Sequence, residues 1–190
     1  ESGVPETVIA PPPQPSSAEG EDDLELHLRA IPVIHAAYET VTTAERLRAW
    51  VAAAEAQGFV SFDSETDSLD AMRAEIAGLS LALEPGRACY VPLNHKSLGE
   101  GLFGGERLAG LLGEEEALAI VAPLLAAPHV LKIGQNLKFD MLVLKQRGIT
   151  IAPFDDTMLM SYAFESGDVG HGMDELSQRH LGHTPISYKD

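Results

Sequence analysis

Residues 59–67, Phe59-Val60-Ser61-Phe62-Asp63-Ser64-Glu65-Thr66-Asp67, place three acids within five positions at the end of an apolar run. Aromatic and β-branched residues in such a run predict a buried strand. Successive strand side chains point to opposite faces, so Ser61, Asp63 and Glu65 share one. Two carboxylates that close oppose each other's ionisation unless something positive sits between them. A hard divalent cation, Mg²⁺ or Mn²⁺, takes oxygen ligands of this kind. The competing reading is a strand that ends in a solvated acidic turn.

The elements around this strand follow from pattern. Thr42 and Glu45 form a T-x-x-E capping box before Leu47, Trp50, Val51 and Ala54, with Gly58 as the stop. This predicts an amphipathic helix leading into the acidic strand, with Trp50 in the core. Residues 76–83 alternate as a second strand, Glu84 to Arg87 turn the chain, and residues 88–92 return as a third. The simplest arrangement is an antiparallel meander. Residues 96–113 are glycine-rich without a Gly-Lys-Ser/Thr ending, which predicts a mobile surface loop and not a phosphate cradle.

A helix is expected over 114–126 with Leu118, Val121, Leu124 and Leu125 inward, then a short strand over 130–133. Gly134-Gln135-Asn136-Leu137-Lys138-Phe139-Asp140 follows, with Asn136 as the expected N-cap of a helix to Gln146 and Gly148 as its end. A strand near 150–151, a helix from about Asp156 and a last helix over 173–181 are expected in the remainder of the chain. Strands alternating with helices in this half predict parallel pairing. His171, His180 and His183 lack metal-ligand spacing and are expected to be solvated.

Composition narrows the function classes. The chain has 190 residues, 45% of them hydrophobic, enough for one domain with a sizeable core plus a tail. Residues 1–30, with the run Pro11-Pro12-Pro13-Gln14-Pro15, seven acids and one base, read as a disordered linker, leaving 31–190 as the folded domain. No apolar run is long enough to span a bilayer, and no signal-peptide pattern opens the chain. The one cysteine, Cys89, excludes an internal disulfide and fits a reducing cytoplasm. A net charge of −16 is the wrong sign for gripping nucleic acid unaided. Either nucleic acid is not the substrate, or another domain holds it and this one receives only an end.

Phe62-Asp63-Ser64-Glu65-Thr66-Asp67-Ser68-Leu69 and the Gly134–Asp140 stretch, whose Asp140 lies 75 positions after Glu65, resemble the proofreading 3′–5′ exonuclease domain of bacterial DNA polymerase I. Phe154-Asp155-Asp156-Thr157-Met158 and Met173-Asp174-Glu175-Leu176 resemble it too. Two acidic motifs in this order are more specific than either alone. The resemblance implies an α/β, ribonuclease-H-like mixed sheet flanked by helices. It implies that Asp63 bridges two divalent ions, Glu65 holds one of them and orients the attacking water, and Asp140 holds the second. Thr66, Leu69, Gln135, Asn136 and Phe139 are similar to residues that face the substrate's 3′ end. Leu69 would wedge against terminal bases, or else pack after the turn. Phe139 stands where relatives often carry tyrosine. Asp156 is expected to cap the helix that follows it rather than bind metal.

The implied partners are a single-stranded or frayed DNA 3′ end, a polymerase domain downstream in cis and a further domain upstream of the linker. The family's third motif, a tyrosine and an aspartate on a later helix, is expected beyond Asp190. Tyr188 and Asp190 lie close to Pro185 and outside any expected helix. These 190 residues alone are therefore expected to be inactive or feeble. Three other readings compete. The first is a spacer that keeps the fold without the chemistry. The second is a haloacid-dehalogenase-type phosphatase, which wants Asp-x-Asp. The third is a stand-alone RNA-trimming exonuclease.

Overall fold

Thr43 caps a helix: its backbone is extended and its hydroxyl accepts from the Arg46 amide at 3.3 Å. The cap is thus one residue beyond the expected Thr42–Glu45 box. Helix α1 (Ala44–Gln57) buries Leu47, Trp50, Val51 and Ala54 and stops at Gly58, whose φ of 88° favours glycine. The computed structural model describes residues 26–27, 29–31, 34, 38–97, 105–165, 167 and 169–186. Most of the expected linker, and residues 98–104 of the expected 96–113 loop, lie outside the described residues. At the described end of the linker, Ala30 donates back to Leu26 and His27, and Arg29 donates to the Arg179 carbonyl at 2.9 Å.

The sheet holds β1 (Glu39–Thr40), β2 (Phe59–Thr66), β3 (Ile76–Glu84), β4 (Arg87–Pro92), β5 (Leu131–Gly134) and β6 (Phe154–Asp156) in the order β1-β4-β3-β2-β5-β6. β2, β3 and β4 form the expected antiparallel meander. β5 pairs parallel with β2 and β6 parallel with β5, as the alternation in the second half requires. The expected strand at 150–151 does not form. Ile151 is buried without joining the ladder, and the strand lies after Pro153. Helices α2 (Glu114–Ala126), α3 (Lys138–Lys145), α4 (Thr157–Phe164) and α5 (Met173–Leu176) complete the chain, α5 running on into a π turn at Ser177–Leu181.

Alternation decides which sheet face is covered. Val60, Phe62 and Ser64 of β2, with Leu79, Leu81 and Leu83 of β3, are buried on one side, where α1 also packs. Ser61, Asp63 and Glu65 point the other way. Trp50 is core, as expected, and its indole N–H donates to Glu39 at 3.0 Å. Cys89 is buried, and burial pushes its thiol up to about 12. No described helix is long and apolar enough to cross a membrane.

Lys132 is the outlier of the core: a fully buried lysine on β5. Its ammonium donates to the carbonyls of Ala127 at 2.9 Å and of Val130 and Ala152 at 2.7 Å. These bonds tie the strand's start to the segment before β6. Lys132→Met keeps the volume and strands three acceptors. It should cost roughly 3 kcal/mol in chemical denaturation, since an unpaired buried polar group costs about 1–3 kcal/mol and some carbonyls will find water. A loss under about 1 kcal/mol would mean that water replaces the ammonium fully.

Candidate active site

Asp63 and Glu65 sit at the outgoing end of β2 on the open sheet face, Asp63 half-buried and Glu65 exposed. Asp140 enters from the first turn of α3 and is 3% exposed. Its Oδ1 accepts from the Ser64 amide at 2.9 Å and from the Ser64 hydroxyl at 2.5 Å. The residue between the two strand acids therefore docks the helix acid. Burial, then the charges of Asp140 and Glu65, push the Asp63 carboxyl up to about 7. Burial also raises Asp140, with Glu65 adding to it and the Ser64 bonds opposing. The three carboxylates thus lie in one another's fields, although Asp140 is 75 or more positions from the others.

No ion pair to Asp63, Glu65 or Asp140 forms among the described residues. An all-oxygen, uncompensated donor set fits a hard divalent cation in kind. Among the described residues, however, no three acidic, histidine or cysteine side chains converge closely enough to hold a metal ion. The donors suit the ion, and the cage around it is not complete.

The remaining residues separate into those that face the opening and those that hold the frame. Leu69 is 99% exposed, so it does not pack after the turn. The Thr66 hydroxyl donates to the Ser68 carbonyl at 3.0 Å, within the same turn. Phe139 is partly buried against the core. Gln135 is engaged at both ends of its amide: it donates to the His171 carbonyl at 2.8 Å and accepts from the Thr157 hydroxyl at 2.5 Å.

Asn136 does not cap α3. The N-cap is Leu137, without a side-chain bond, and Asn136 itself takes a left-handed φ of 54°. Asparagine tolerates that region better than most residues. The capping falls to Asp156, which is buried. Its carboxylate accepts from Asn136 at 3.1 Å and Leu137 at 2.9 Å, and from Met158 at 2.9 Å and Leu159 at 3.4 Å. Asp156 caps the following helix as expected and seats the preceding one as well.

His171 corrects the expectation of solvated histidines. It is 7% exposed, with Nδ1 2.7 Å from the Ser161 hydroxyl and its ring 3.8 Å from that of Tyr162. His180 is exposed and His183 half-buried. Neither Ser64 nor His171 stood out in the sequence. Ser64 alternates away from the acids, and only the fold brings Asp140 to it. Beside Asp63 a cleft of about 800 Å³ opens between the sheet and the last helices, lined by Ile133, Met160, Phe164, Met173 and Leu176 among others. Its walls are mainly apolar, with Asp63 at one end.

Comparison with known proteins is consistent with this layout. The sequence profile of the 3′–5′ exonuclease family matches residues 38–190. DNA polymerase I of Rhizobium leguminosarum is 47% identical over 169 residues, 84% of this chain and 17% of the relative. DNA polymerase I of Pseudomonas aeruginosa is 36% identical over 156 residues, 80% of this chain and 16% of the relative. The chain thus spans about a sixth of these relatives' length. Among solved structures, RNase D of Trypanosoma brucei, in complex with RNA, superposes with a TM-score of 0.62 at 15% identity over 87% of this chain and 52% of that one. That likeness establishes the ribonuclease-H-like fold. The chain belongs to the 3′–5′ exonuclease family.

Proposed function

We propose that this chain is the proofreading part of a cytoplasmic DNA polymerase I, hydrolysing the 3′-terminal phosphodiester of single-stranded or frayed DNA. The observation that carries this reading is the carboxylate trio. Strand tip and helix turn deliver Asp63, Glu65 and Asp140 into one another's fields with no basic side chain among the described residues to offset them. The three acids would hold two divalent ions, Mg²⁺ or Mn²⁺, which when bound stabilise charge on the attacking and leaving oxygens.

The protein's own groups do the rest. Ser64 fixes Asp140 against β2. Leu69 projects into solvent where a terminal base can stack, and the apolar cleft beside Asp63 accepts bases by contact rather than by edge recognition. Thr66, Gln135, Asn136 and Phe139 border the path of the 3′ end. A polymerase domain in cis would hold the duplex, which an acidic domain cannot do itself. An unpaired end crosses into the pocket more readily than a paired one. The 190 residues alone would cleave feebly, because their described donors do not close a cage. That same observation favours a second reading, a spacer that keeps the fold without chemistry.

One comparison separates the two readings. In the polymerase that carries this segment, release of a 3′-terminal label from single-stranded DNA should require a divalent cation. It should vanish in Asp140→Ala with polymerisation intact. Label release that survives the substitution, or that is absent from the unsubstituted polymerase, would leave the spacer reading in its place.

A further inference from the structure

Glu65 is the exposed member of the trio, and its side chain makes no hydrogen bond or ion pair among the described residues. A glutamate free in solvent samples several rotamers, so whatever borders it decides how often it turns toward Asp63. The sheet register identifies that border. Glu65 lies opposite Gly78 on β3, and Asp63 lies opposite Ser80, which in turn faces Tyr90 on β4. Residues directly opposite across antiparallel strands have Cα atoms roughly 4.5–5.5 Å apart. Tyr90 thus shares the open face with the acids.

The tyrosine does not stand upright over its own row. It leans over Gly78: a Cβ built there would stand 2.1 Å from the Tyr90 hydroxyl oxygen and 2.3 Å from Cζ. No other amino acid at position 78 leaves the phenol this seat. The hydroxyl is held there by His95, whose Nε2 is 2.7 Å away, with the two rings edge-on at 5.6 Å. Burial first, and then the charge of Glu65, push the phenol above its ordinary range, so it stays neutral beside the carboxylate. The same ring helps line a small pocket that Asp63 borders from the other side.

We propose that Tyr90, seated over Gly78 and tethered by His95, is a positioning residue for Glu65. It forms the wall that limits the glutamate's rotamers to those directed at Asp63 and the cation. The inference rests on the proposed function and assigns it three further residues. Tyr90 acts through Glu65, and His95 and Gly78 act through Tyr90.

The test uses the full polymerase carrying this segment, as Tyr90→Phe, Gly78→Ala and the double variant, with Asp63→Ala as control. Mn²⁺ binding is followed by electron paramagnetic resonance, label release by titration with Mg²⁺. Tyr90→Phe keeps the ring and removes the tether. It should weaken Mn²⁺ binding and raise the half-saturating Mg²⁺ concentration by roughly 3–10-fold, as expected for one lost neutral hydrogen bond. The KM for DNA should change little, and the melting temperature should fall by no more than the few degrees that one lost hydrogen bond costs. Gly78→Ala evicts the ring and should do at least as much. The double variant should be no worse than Gly78→Ala alone, because both changes break one unit. Unchanged Mn²⁺ binding in Tyr90→Phe, or strictly additive effects, would overturn the inference while Asp63→Ala still loses label release. If Asp63→Ala keeps label release, it is the functional reading that fails.

Discussion

Asp63→Asn should abolish nuclease activity and at the same time make the metal-free chain more stable at pH 8. The second half follows from linkage. The Asp63 carboxyl is pushed up to about 7 from 3.8 by burial and by its acidic neighbours. A folded value above the unfolded one means that the folded state holds a proton the unfolded state has released. Stability contributed by this group is complete below about pH 4 and is lost as pH rises to about 7. At about 1.4 kcal/mol per pH unit, the loss is at most roughly 4 kcal/mol, less what solvent and relaxation recover. Asparagine has the same shape and no charge, so the variant escapes that loss and also relieves Asp140. Melting curves of the two 190-residue chains with a chelator should differ most at pH 8 and converge near pH 4. In the full polymerase, label release should fall by about 10³-fold or more, since groups that stabilise charge at the reacting oxygens act on that scale. A variant less stable than its parent at pH 8 would show that the acids are not crowded as the structure has them.

Stability and chemistry therefore oppose each other at the tip of β2, and this is where the sequence spoke most clearly. Asp63 and Glu65 were legible because strand alternation is local: two residues apart means one face. Helix α2 was legible for the same reason, since Leu118, Val121, Leu124 and Leu125 repeat at helical spacing and all are buried. The meander followed from period-two alternation and a Pro-Gly turn whose Gly86 has a φ of 79°. The failures share a cause as well. β6 is three residues long and reads Phe-Asp-Asp, while β-branched Thr150 and Ile151 imitate a strand; only pairing with β5 decides between them. Asn136 has the composition of an N-cap, yet the acceptor that its helix uses comes from Asp156, 20 positions on. The bond that docks Asp140 joins residues 76 apart. Contacts of that range leave no periodic trace in the chain.

Asp156→Ala should be the most damaging single change outside the acidic trio, through the frame rather than the chemistry. One buried carboxylate accepts from four backbone amides, two before α3 and two in the first turn of α4. Removing a helix cap costs typically about 1 kcal/mol, and a buried donor left unpaired costs about 1–3 kcal/mol. With two helix starts affected and Leu137 buried, the total should reach roughly 3–5 kcal/mol in urea unfolding. Amide exchange should quicken at Leu137 and Met158 together, because one group holds both. Activity should fall in step, since Asp140 lies in the first turn of the helix that Asp156 seats. Asp156→Asn keeps one carbonyl oxygen and turns an amide N–H₂ toward one of the two helix starts. It should therefore weaken one start and largely spare the other, at about half the cost. Equal losses for alanine and asparagine would mean that the negative charge, and not the geometry of four shared bonds, holds the two helices in place.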